Sequence, residues 1–122
     1  MTDDSPRRAF AFEAMLELEP DVDTRAPGAA VTVALCGSWE HDGPCRWPHN
    51  SRIDASSAPA RLRTVVVADD QTDAEVVARI ESALGGDPRW SVASATRGDI
   101  APGEQALANR LMNPKPPNAR DE

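Results

Sequence analysis

The sequence predicts an α+β fold: a two-layer sandwich with a four-stranded mixed sheet, elements in the order β-β-β-α-β-α, and helices on one face. Three observations lead there. Phe10 to Leu18 alternates apolar and acidic residues, Thr64-Val65-Val66-Val67 is a β-branched run, and a helical period opens just after Thr72.

In the first strand, Phe10, Phe12, Ala14, Leu16 and Leu18 fall on one side, and Glu13, Glu17 and Glu19 on the other. A helix would scatter those apolar positions and bury a glutamate among them. Pro20 ends the strand, and Asp21 to Gly28 reads as a turn. A second strand is expected from Ala30 to Trp39, pairing with the first as a hairpin, with Cys36 on its less apolar side. Residues 39–60 hold Pro, Gly, Ser, Asn and Asp without a period and read as a long loop.

The third strand, Leu62 to Asp69, is apolar on both faces and therefore central. Thr72 and Glu75 have the spacing of a capping box for a helix burying Val76, Val77, Ile80, Ala83 and Leu84, which Gly85-Gly86 closes. Trp90 to Thr96 is a fourth strand, expected parallel to the third through a right-handed crossover. A short helix follows over Gly103 to Met112. One domain over residues 10–112 is thus expected, flanked by a flexible segment at 1–9 and a Pro-rich disordered tail at 113–122.

The 122 residues suffice for one core. With two Phe, three Trp and no Tyr, that core must be mostly aliphatic. A net charge of −7 repels phosphate backbones and anionic membranes, so neither nucleic acid nor membrane is expected as a partner. No segment resembles a signal peptide or membrane span, and a cytoplasmic location is the expectation.

The two cysteines and two histidines, Cys36, His41, Cys45 and His49, share one fourteen-residue window with spacing C-x4-H-x3-C-x3-H. Two thiolates and two imidazoles form a chemically sensible tetrahedral shell, so a structural Zn2+ ion is a candidate cofactor, although no C-x2-C knuckle is present. Each residue also has a plainer role: Cys36 as a small apolar side chain, His41 and His49 as loop residues, Trp39 and Trp47 folded down to bury the loop. A third possibility is thiol chemistry at Cys45, with Arg46 favouring the thiolate, or a Cys36–Cys45 disulfide acting as a redox switch.

No nucleotide-binding, hydrolase or zincin motif occurs, and Asp69-Asp70 reads as helix-start carboxylates before it reads as a magnesium site. These features point to a non-catalytic accessory or protein-interaction domain, binding a protein partner or itself. Its functional surface would be the 36–49 segment, with Trp39, Arg46 and Trp47 as contact residues. The alternative is a thiol-dependent enzyme or redox protein centred on Cys45.

Overall fold

A computed structural model describes residues 7–36 and 47–112. The chain forms β1 (Arg8–Leu18), α1 (Ala26–Cys36), β2 (His49–Asp54), β3 (Ala60–Ala68), α2 (Asp73–Gly85) and β4 (Trp90–Gly98). A 3-10 turn (Pro102–Glu104) and α3 (Gln105–Met112) follow. The strands lie in the order β2-β3-β1-β4, and every neighbouring pair is antiparallel. This βαββαβ arrangement, in which each crossover skips over a strand, is the split βαβ or ferredoxin-like topology.

The alternation in β1 works as expected. Phe10, Phe12, Ala14 and Leu16 face α1 and α2, opposite Val66, Thr64, Leu62 and Ala60 of β3. β3 is central and buried on both faces: Leu62 and Val66 join the main core, while Val65 and Val67 point to the reverse face. α3 packs there against β3 and β1, with Ala108 fully buried.

Three expectations are corrected. The segment expected as a strand from Ala30 to Trp39 is, as far as it is described, the helix α1. Val31, Val33 and Leu35 satisfy a strand period, but Pro27, Val31 and Leu35 are also spaced by four, and these three are buried while Val33 is 47% exposed. Pro27 in the first turn costs no hydrogen bond, and the surrounding alanines favour the helix.

Second, the expected 39–60 loop contains β2. The sequence His-Asn-Ser-Arg-Ile-Asp has a single strong strand former, and the segment is extended because β3 supplies a backbone partner along its length. Third, β3 and β4 do run in the same direction, but β1 lies between them, so among the described residues no parallel pair exists and the sheet is antiparallel rather than mixed.

The start of α2 is also built differently from a capping box. Asp69 accepts hydrogen bonds from the Gln71 and Thr72 backbone N–H groups and from the Thr72 hydroxyl, while Glu75 pairs with Arg79 one turn on. The acidic pair at the strand end therefore serves the helix start, through Asp69. At the other end of α2, the buried Trp90 donates its indole N–H to the carbonyl of Leu84 at 2.9 Å and fixes β4 to the helix.

On the reverse face an ion-pair hub joins three strands to the 3-10 turn. Glu104, 3% exposed, accepts two hydrogen bonds from Arg63, at 2.6 and 2.8 Å, one from Arg52 at 3.0 Å, and one from the Ala101 backbone at 2.7 Å. Arg63 also reaches Glu13 on β1 at 3.1 Å. The Arg63 guanidinium is the main reason the Glu104 carboxyl is held at about 2, and the same pairing pushes Arg63 upward.

Candidate functional site

The Cys/His window begins where α1 ends and finishes where β2 begins, so each described member is positioned by a different rigid element. Cys36 is the last residue of α1 and is half-buried against the main core. It is disulfide-bonded, and Cys45, the chain's other cysteine, lies outside the described residues. Trp39, His41 and Arg46 lie outside them as well.

Trp47 is a core residue, 4% exposed. Its indole N–H donates to the Thr72 hydroxyl at 3.3 Å, and the Arg79 guanidinium stacks on its ring at 5.1 Å. Arg79 in turn donates to the carbonyl of Ala34 in the last turn of α1. That turn carries no basic residue of its own, so Arg79 on α2 satisfies one of the carbonyls a helix end leaves open. Trp47 therefore takes the packing role among those open to it: it locks the entry to β2 against α2.

His49 has both ring nitrogens engaged. Nδ1 lies 2.9 Å from the carbonyl of Trp47, which can only accept, so Nδ1 carries the proton. Nε2 is then the acceptor, 3.0 Å from the Thr32 hydroxyl of α1. Burial lowers the pKa of His49 from its ordinary value, and the hydrogen bond to the Trp47 carbonyl opposes that shift only in part.

Thr32 and Cys36 are four residues apart on α1, one turn or roughly 6 Å of helix, so the fold brings His49 and Cys36 to neighbouring turns of one helix. The neutral tautomer with Nδ1–H on a backbone carbonyl is also the one metal-bound histidines use. Against this, a disulfide sulfur offers no thiolate, and Nε2 would have to leave Thr32. A disulfide-bonded Cys36 is therefore no zinc ligand, and His41 and Cys45, the other expected ligands beside His49, lie outside the described residues. Among the described residues, no group of three or more His, Cys, Asp or Glu is placed to hold a metal ion.

No protein-family model, curated protein or solved structure matches this chain. No described helix is long and apolar enough to cross a membrane.

Thr32, Thr72 and Arg79 hold His49 and Trp47 in place, although the sequence points to Thr72 only as a helix-start residue and gives no sign of the other two. Nor does it mark Arg52, Arg63 and Glu104 as a site. Arg61-Leu-Arg63 and Arg52-Ile-Asp54 do alternate charge with apolar side chains, a strand signal, but Glu104 is 41 residues from Arg63 and 52 from Arg52 in sequence, and no local pattern announces it.

Proposed function

We propose that this protein is a non-catalytic accessory domain that binds another protein through the segment between Cys36 and His49, with Trp39 and Arg46 as the contact residues. One observation carries the reading: the described residues at both ends of the segment are fixed, Cys36 packed against the core as the last residue of α1 and Trp47 sunk among Thr72 and Arg79. Aromatic and arginine side chains between two fixed ends lose little entropy when a partner is bound, which is how recognition loops on rigid scaffolds gain affinity. Trp47 anchors the surface in this reading. The partner is a protein or a second copy, since the acidic charge disfavours nucleic acid.

The test is affinity purification of the tagged full chain from its native cells, wild type beside the double variant Trp39→Ala/Arg46→Ala, with thermal unfolding confirming that both are folded. The reading requires a reproducible partner set that disappears with the variant. An unchanged set overturns it.

The disulfide at Cys36 favours a second reading, thiol redox chemistry with Cys45. In the cytoplasm, the location we infer, the thiol pool would keep the two cysteines reduced, and the reduced segment is the form in which Cys36, His41, Cys45 and His49 would take zinc. Thiol titration and elemental analysis of protein purified with and without reductant separate these outcomes. One zinc with masked thiols supports the metal site, one fast-reacting thiol supports Cys45 chemistry, and two ordinary thiols without zinc exclude both.

A further inference from the structure

We propose that the outer edge of β2 binds an acidic peptide in extended conformation, which adds to the sheet as a fifth strand and sets its carboxylates against Arg25 and Arg52. β2 is an edge strand. Val67 N–H donates to the carbonyl of Pro48, and these two residues are opposite each other in the β2–β3 register. In an antiparallel ladder bonded pairs recur at every second residue, so Asn50, Arg52 and Asp54 turn their backbone groups toward β3. The N–H and C=O groups of His49, Ser51 and Ile53 then point outward, where they have no partner among the described residues. They form a three-residue template for another strand.

A groove of about 490 Å3 runs along this edge, between β2 and the first two turns of α1. Its α1 wall is low because Gly28 and Ala29 form it; a Cβ on Gly28 would already stand 3.5 Å from that of Ser51. Ile53 and Ala29 give the groove apolar contact, and Thr32 and His49 close its inner end. The charge of the lining selects the occupant. In a chain of net charge −7, the charged groups lining the groove are Arg25 and Arg52, with no carboxylate among them.

Asp23 and Glu104 each hold one of these arginines from outside the groove. Arg25 is 88% and Arg52 64% exposed in its side chain, and each keeps guanidinium donors uncommitted. Arg52 stands opposite Arg63 on the reverse face of the sheet, whereas Arg25 stands on the helix face. Adjacent residues of an added strand point to opposite faces, so two consecutive acidic residues would reach one arginine each. This proposal uses none of residues 37–46 and does not depend on the function proposed above.

The test is fluorescence anisotropy of the full chain with labelled Val-Thr-Glu-Glu-Val-Thr, its Lys-Lys counterpart, and the Glu-Glu peptide N-methylated at alternate residues. The proposal requires that the acidic peptide binds, that Arg25→Glu weakens it at least tenfold while the melting temperature is kept, and that neither control peptide binds. It also requires that Trp39→Ala leaves binding unchanged. Absence of binding overturns it, as does indifference to Arg25→Glu. Equal binding of the lysine peptide removes the charge argument, binding of the methylated peptide removes strand addition, and displacement by millimolar inorganic phosphate makes this a simple anion site. Loss of binding in Trp39→Ala would move the peptide to the 37–46 segment and sink the edge assignment.

Discussion

Replacing Glu104 with glutamine tests whether the reverse-face hub stabilises the fold. The amide keeps the size of the side chain and removes its charge, leaving Arg63 with Glu13 as its carboxylate partner and Arg52 without one. The Glu104 carboxyl is held at about 2 against an ordinary 4.5, a difference that at 1.36 kcal/mol for each pH unit corresponds to about 3 kcal/mol. Because the folded-state value is depressed, the unfolded chain binds the proton first. The contribution is therefore complete above about pH 4.5 and is lost as pH falls toward about 2. Urea unfolding followed by tryptophan fluorescence at a series of pH values between neutral and acid gives both curves. Glu104→Gln should be weaker than wild type by about 3 kcal/mol near neutrality. The two proteins should converge in acid, while the slopes from all other carboxylates cancel in the difference. A difference curve that stays flat through the acid range, or a neutral-pH loss below about 0.5 kcal/mol, would refute the reasoning.

Three further outcomes follow from the geometry. Trp47→Ala should cost about 3–5 kcal/mol, as for other buried aromatics, and Trp47→Phe less because a ring still fills most of the site, although the indole N–H to Thr72 and the second ring are lost; denaturant midpoints decide, and equal small losses would mean Trp47 is not a core residue. Val33→Ala should leave stability unchanged or raise it by a few tenths of a kcal/mol, since the side chain is exposed on a helix, whereas in a strand the same change would be destabilising. His49 titrates below its ordinary pKa, so the unfolded chain takes up its proton first, and stability should decline as pH falls below about 6.5. His49→Gln should remove that part of the pH dependence, and a wild-type advantage over this variant that grows toward pH 5 would contradict it.

The strands and helices legible in the sequence are those whose periodicity comes from their own burial. β1, β3 and α2 each place apolar side chains against the same core with one unambiguous period, and each is where it was expected. α1 was ambiguous because Val31 and Leu35 satisfy a strand spacing of two and a helix spacing of four at once; the burial of Pro27 and exposure of Val33 decide it, and neither is visible before the chain is folded. β2 was illegible because its conformation is imposed by β3 and not by His49 to Asp54 themselves. At the candidate site, the proximity of His49 to the Cys36 end of α1 was legible as clustering, but the hydroxyl and carbonyl that occupy the imidazole come from Thr32 and from the backbone of Trp47, and backbone acceptors leave no mark in a sequence.

The order of strands in the sheet carries a consequence for how the chain is made. β1 is made before either of its neighbours, since β3 begins at Ala60 and β4 at Trp90. Until then Phe10 and Phe12 have no strand beside them, and the hairpin of β2 with β3 is the first piece of sheet that can close over a short connection. The nascent chain must therefore keep β1 in waiting and slot it between two later arrivals, with the β2–β3 hairpin the earliest sheet contact open to it.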